Sequence, residues 1–134
     1  MKSYTYARAF QAALISIAMI GSASLARADV KDYEFQLVDK TVKKGDAIIS
    51  VRLVHKPDGK PVPDAVIFAT RLDMAPDGMQ EMATKVTPMT GAEPGVYRFK
   101  ANLSMAGGWQ LSLGAKVQGE TGTVENKLVL KATP

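Results

Sequence analysis

The feature that most constrains the fold of this chain is a succession of short apolar runs separated by turn residues. The runs recur at intervals of roughly 8 to 12 residues, a spacing typical of sandwiches and barrels. In residues 47–55, for example, Ile49, Val51 and Leu53 alternate with more polar neighbours, which places them on one face of a strand. Similar runs cover residues 33–38, 65–74, 80–86, 96–103, 109–117 and 123–132. No run shows the 3.6-residue period of a helix. The pattern predicts an all-β fold, an immunoglobulin-like β-sandwich of about seven to eight strands, with a closed barrel as the alternative.

The first 28 residues have the pattern of a secretory signal peptide. Lys2 and Arg8 precede an uncharged apolar stretch, and the sequence Ala-Arg-Ala then ends at Ala28. We therefore expect cleavage before Asp29, which leaves residues 29–134 as the β-sandwich domain. The expected location is the periplasm, and an uncleaved inner-membrane anchor is the alternative because the apolar stretch approaches the length of a spanning helix.

The charge of the expected mature domain excludes two classes of partner. The 17 basic and 13 acidic residues of the whole chain give +4, and three of the basic residues lie in the leader, so the mature part carries +1. Its Lys and Arg residues are scattered, without the aromatic-flanked basic cluster of a nucleic-acid surface. A polybasic membrane patch is equally absent from the sequence. No nucleic-acid partner is expected, and the sequence identifies no small-molecule substrate.

Candidate catalytic residues are few. The chain has no cysteine and one histidine, His55, which ends a predicted strand just before a Lys-Pro turn. His55 is interpreted either as an exposed histidine at a sheet edge or as a metal ligand. Asp73 and Asp77 flank the turn that contains Pro76 and Gly78, where acids usually accept Asx-type hydrogen bonds. Neither a nucleophile with a base nor a zinc ligand set is apparent, so we expect no enzymatic activity.

The methionines of the mature part collect at strand ends and in predicted loops rather than in the strong central strands. They are Met74, Met79, Met82, Met89 and Met105. In a hairpin, Met74 and Met79 would face each other across the turn, whereas alternation places Met82 on the opposite face unless a bulge intervenes. Thioether sulfur selects Cu(I), and it keeps that property in compartments where thiols form disulfides. Trp109 would then shield the ion from water. The same residue types fit equally well a second interpretation, in which Trp109 is a core residue and the methionines form an apolar rim.

The region from Ala69 to Leu113 resembles the YtkA-like, or FixH-type, domain. The resemblance rests on LDM at 72–74, PDGM at 76–79 and EPGVYRFKANLSMAGGWQLSL at 93–113, with MAGGW its most specific part. It covers about half of the mature chain. It implies a small exported or membrane-anchored bacterial immunoglobulin-like domain with a non-enzymatic role in metal handling, and copper is the metal that it favours. It also implies copper-efflux or oxidase-assembly membrane proteins as partners. The family pattern commonly has a histidine near the first methionines, and this chain has none there, which favours an all-thioether site.

Two functional hypotheses follow. The first is a periplasmic copper(I)-binding or copper-delivery protein in which Met74 and Met79 are the central ligands. Met82, Met89 and Met105 are candidates to complete the site, with Trp109 and His55 near it. The second is a metal-free interaction module that docks on a membrane or efflux partner through its methionine-bearing rim.

Overall fold

The computed structural model describes residues 30–91 and 93–134, which form two β-sheets packed face to face. The ten strands are β1 Tyr33–Leu37, β2 Thr41–Lys43, β3 Gly45–His55, β4 Lys60–Pro61, β5 Val66–Met74, β6 Met79–Thr84, β7 Val86–Met89, β8 Val96–Leu103, β9 Gly107–Lys116 and β10 Val124–Thr133. Short 3-10 helices lie at Val30–Asp32 and Ala75–Asp77. The predicted leader, residues 1–28, lies outside the described residues. Among the residues that the structure describes, no helix has the length and apolarity needed to cross a membrane.

The first sheet has the strand order β1-β3-β8-β7, with β4 also paired to β3. The second sheet has the order β2-β10-β9-β5-β6. All pairings are antiparallel except the short one between β2 and β10, which is parallel. The predicted immunoglobulin-like sandwich is confirmed, and the two separate sheets exclude the closed barrel.

The core lies between the two sheets and follows the predicted alternation. In β3 the side chains of Ile49, Val51 and Leu53 are all buried, as are Trp109 and Leu111 in β9. Burial of each large aliphatic or aromatic side chain contributes roughly 1.5 to 3 kcal/mol. With no cysteine in the sequence, this apolar packing takes the place of disulfide cross-links.

Three short strands were not predicted from the sequence: β2, β4 and β7. They have three, two and four residues, too few for a period to be visible. The segment 87–95, between the predicted strands at 80–86 and 96–103, is expected to be a loop; that expectation is wrong for its first part, because β7 pairs with β8 there. The single return strand predicted over 80–86 was also wrong: β6 belongs to the second sheet and β7 to the first, and the chain crosses between them at Lys85.

Candidate functional site

The hairpin of β5 and β6 brings Met74 and Met79 together. The two residues are direct partners in the strand register, joined by the 3-10 helix Ala75–Asp77 and by Gly78. Pro76 suits the first turn of such a helix because its φ angle is already fixed near the helical value. Gly78 has a φ of 76°, a left-handed conformation that ends the turn without the penalty a β-carbon would add. The local sequence therefore builds a tight connection with a methionine on either side.

Asp73 holds the beginning of this turn. The residue is 4% exposed, and its Oδ1 accepts a hydrogen bond of 2.9 Å from the backbone N–H of Ala75. Its Oδ2 accepts one of 2.6 Å from Nε of Arg71. The Arg71 guanidinium also donates through Nη2 to the carbonyl of Gln80 at 2.9 Å, which links β5 to β6. The Asx-type role expected of Asp73 is confirmed, and its pairing with Arg71 adds a second restraint.

The turn packs against the start of β9, where the sequence has two glycines. Oδ2 of Asp77 accepts a hydrogen bond of 3.1 Å from the N–H of Gly108. A β-carbon at Gly107 would overlap the Asp77 carboxylate and would lie 2.9 Å from Cε of Met74. A β-carbon at Gly108 would lie 2.9 Å from Cβ of Pro76. The two glycines of MAGGW therefore let the turn approach β9 closely, a role that only the structure identifies.

Met105 and Trp109 lie at the same end of the sandwich. β8 ends at Leu103, opposite Gly45, and β9 begins two residues after Met105. Met105 is 41% exposed, and its carbonyl accepts a hydrogen bond of 3.0 Å from Nε1 of Trp109. Trp109 is fully buried, so its indole belongs to the core and its one polar atom is satisfied by the loop that carries Met105.

Met82 lies on the same side of its strand as Met79, and both pack partly buried against the core. Simple alternation places them on opposite faces. The register explains the difference: Asp73 pairs with Ala83 and Met74 with Met79, so residues 80–82 are unpaired extra residues in β6. This irregularity is a β-bulge, and it explains why Met82 lies on the same face as Met79 and not on the opposite one.

Met89 and His55 are not brought to this end. Met89 pairs with Arg98, and alternation in β7 places it on the face opposite to Val86, which packs on the core. His55 ends β3 at the end of the sandwich opposite to Gly45. Its ring lies 5.0 Å from that of Tyr33, and its Nδ1 lies 3.1 Å from Oδ1 of Asp58.

The donors gathered at the methionine end are therefore thioethers: Met74 fully buried, Met79 and Met82 partly buried, and Met105 exposed. We refer to this group as the methionine end. The acids nearby, Asp73 and Asp77, are already occupied by hydrogen bonds. Among the described residues, no group of three or more His, Cys, Asp or Glu side chains is arranged to hold a metal. A soft cation is the ligand that this donor set fits.

Fold and site together define the class: an immunoglobulin-like β-sandwich with a methionine-bearing hairpin at one end. The YtkA-like family model matches residues 27–114, about two thirds of the chain. The chain therefore belongs to the YtkA-like family, and the match includes the hairpin and the MAGGW segment.

Two solved structures are similar in fold. The Lin-41 filamin domain is 18% identical, with a TM-score of 0.46 and coverage of 76% of this chain and 92% of that domain. The ZirS C-terminal domain is 9% identical, with a TM-score of 0.46 and coverage of 98% of this chain and 87% of that one. A comparison with curated proteins finds no match.

Proposed function

We propose that this protein is a periplasmic copper(I)-binding or copper-delivery protein with no enzymatic activity. The observation that carries the proposal is the direct pairing of Met74 and Met79 across a turn, with Met105 in the neighbouring loop. Cu(I) accepts a small number of soft ligands, and thioethers select it over harder cations. The sequence contains no cysteine that would compete for the ion or form disulfides.

The graded burial of the methionines supports the same proposal. Met74 is inaccessible to solvent, Met79 is partly buried, and Met105 is 41% exposed. An ion entering from solvent would meet Met105 first and would reach Met74 with its hydration shell removed. Asp73 and Asp77 accept hydrogen bonds from the backbone N–H groups of Ala75 and Gly108, which restrain the turn between Met74 and Met79, so its backbone needs little reorganisation on binding. Met82 is the further candidate ligand from the same hairpin.

The test is a double substitution, Met74→Leu with Met79→Leu, measured by competition with a Cu(I) chelator. Leucine and methionine are close in volume, so the fold should survive at a cost below about 1.5 kcal/mol per site. The expected result is loss of Cu(I) binding. Met89→Leu is the matched control, because Met89 lies on the other sheet and faces away from the core. Its affinity should equal that of the unaltered protein.

Single substitutions keep the test decisive if the double variant folds poorly. Met79→Leu and Met105→Leu change residues that are only partly buried or exposed, so their structural cost is small. Each should weaken Cu(I) binding, with the larger effect at Met79. Equal affinities in the unaltered protein, Met79→Leu and Met105→Leu would refute the thioether site.

The alternative is a metal-free interaction module. One observation favours it: Met74, Met79 and Met82 all pack against the core, where thioethers serve as flexible apolar fillers. Met105 would then be the exposed contact for a membrane partner of the copper-efflux or oxidase-assembly kind. Mass spectrometry of protein from copper-fed periplasm, with and without chelator, separates the two functions. A copper adduct that chelator removes supports the first, and its absence supports the second.

A further inference from the structure

Two arginines lie side by side on the outer face of the first sheet. In β3 the odd-numbered residues from Ala47 to Leu53 are buried, so Ser50 and Arg52 face outward. In β8 Phe99 is buried, so Arg98 faces outward as well. The register pairs Ser50 with Arg98 and Arg52 with Val96. The two guanidinium groups are therefore diagonal neighbours across adjacent strands, with the Ser50 hydroxyl beside them.

These arginines lack the partners that half-buried arginines normally have. Nε of Arg98 is buried and has no hydrogen-bond partner among the described residues. Its Nη2 reaches the carbonyl of Gly91 only at 3.5 Å. In the described part of the chain, the ion pairs are His55 with Asp58 and Arg71 with Asp73, so neither Arg52 nor Arg98 is paired with an acid. A buried donor with no acceptor is unfavourable, so the contacts within the protein leave the Arg98 guanidinium incompletely satisfied.

The arginines open onto a hollow of about 410 Å³ on this face. Ser50, Arg52 and Arg98 contribute donors to its lining, and Glu93 contributes one acid. We call this hollow the arginine hollow. Its charged side chains sum to +1, which matches a ligand group of one negative charge. Glu93 would repel a doubly charged phosphate more strongly than a singly charged carboxylate.

We propose that the arginine hollow binds a carboxylate group. A carboxylate offers two oxygens in one plane, and that geometry matches the planar fork of a guanidinium. Arg98 and Arg52 would each present the outer N–H groups of a guanidinium fork, and Ser50 a hydroxyl donor. The carboxylate belongs either to a free small acid or to a Glu or Asp side chain of an acidic peptide, and the chemistry is the same in both. The site lies away from the methionine end and does not depend on Cu(I).

The experiment is an NMR titration that follows the Nε–Hε resonances of the arginines at constant ionic strength. The probes are succinate and a peptide with blocked ends that carries two adjacent glutamates. The Arg98 resonance should shift and saturate, whereas that of Arg71, already bonded to Asp73, should stay in place. Tighter binding of the peptide would assign the carboxylate to a protein partner, and tighter binding of succinate to a free acid. An unmoved Arg98 resonance with both probes would overturn the proposal.

Three variants separate a specific site from general positive charge. Arg98→Met and Arg52→Met should each weaken binding about tenfold or more, the loss expected for a charge-assisted hydrogen bond. Lys100→Met is the matched control, since Lys100 is the next outward-facing residue of β8 and is exposed. It should change the affinity by less than about twofold. Equal losses in Lys100→Met and Arg98→Met would show diffuse attraction only and would overturn the site. Glu93→Gln leaves both arginines in place and should tighten binding, so the proposal remains testable even if an arginine variant folds poorly.

Discussion

Gly107 is the residue on which the close contact between turn and strand depends. Its φ is 138°, and a β-carbon there would collide with Asp77 and with Cε of Met74. Gly107→Ala should therefore lower the free energy of unfolding by roughly 2 to 4 kcal/mol, as backbone strain and overpacking act together. Gly45→Ala is the control: Gly45 has a φ of 105° but nothing within 4 Å of an added β-carbon, so it reports the backbone cost alone. Urea unfolding of both variants measures the difference. Equal losses would show that the contact with the turn contributes nothing.

Tyr97 gives a residue-scale prediction that depends on pH. Its hydroxyl donates to the carbonyl of Val62 at 2.6 Å and accepts from the N–H of Ala65 at 3.1 Å. Burial of the ring raises the pKa of Tyr97 above its usual value of 10.0. At a pH between the usual pKa and the raised pKa, Tyr97 is already deprotonated in the unfolded chain and still protonated in the folded protein. The stability from the neutral hydroxyl is therefore complete below pH 10 and is lost as the pH rises through the raised pKa.

Tyr97→Phe should consequently cost about 1 to 2 kcal/mol at pH 7, because a carbonyl and an N–H lose their partner. The difference in stability between the variant and the unaltered protein should narrow above pH 10. Chemical unfolding followed at pH 7 and at several alkaline pH values tests this. A difference that stays constant over the whole range would mean that Tyr97 titrates normally in the folded protein.

The longer strands of both sheets could be predicted from the sequence, and the shortest ones, β2, β4 and β7, could not. β3 and β9 are buried on one face along their length, so the alternation of Ile49 with Ser50, or of Leu111 with Ser112, is written into the sequence. β7 is an edge strand of four residues that contains Pro88, a residue that edge strands tolerate and that makes a sequence resemble a loop. Its pairing depends on β8 and not on its own pattern.

The turn of the hairpin could be predicted from the sequence, but the strand register beyond Met79 could not. The pairing of Met74 with Met79 follows from a connection that Pro76 and Gly78 define locally. The position of Met82 depends on the three unpaired residues 80–82. Such an irregularity is defined by the pairing with β5, so alternation within β6 alone could not indicate on which face Met82 would lie.

Substitutions of Asp73 test how much its hydrogen bonds within the hairpin contribute to the stability of the protein. Asp73→Ala removes the acceptor for Ala75 and the partner of Arg71, so it should destabilise the protein by about 2 to 3 kcal/mol. Asp73→Asn keeps an oxygen for the N–H of Ala75 and loses the charge and the hydrogen bond opposite Arg71, whose side chain is 56% exposed. A smaller loss is therefore expected, since such exposed pairs contribute little. Denaturant unfolding ranks the two variants, and equal losses would place the contribution of Asp73 in its charge instead of in the turn.

In the whole molecule the features described above occupy separate surfaces. Met105 and the hairpin methionines lie at one end of the sandwich, whereas His55 ends a strand at the other. The arginine hollow lies on the outer face of the first sheet, nearer to the His55 end, because Arg52 pairs with Val96 at the start of β8. Substitutions at one surface should leave binding at the other unchanged, because residues that share no partners contribute almost additively.

Global stability then provides a test of metal binding that needs no chelator. A ligand that binds only the folded state adds about 2.7 kcal/mol when its free concentration is one hundred times Kd. For a domain of this size each kcal/mol raises Tm by roughly 4 °C, so Cu(I) kept under anaerobic conditions should raise Tm by about 10 °C. Ag(I) serves as a redox-stable substitute. Met89→Leu should keep the full shift, and Met74→Leu with Met79→Leu should lose it. A Tm that stays constant as Cu(I) or Ag(I) is added, in a protein that unfolds cooperatively, would favour the metal-free interaction module over the copper site.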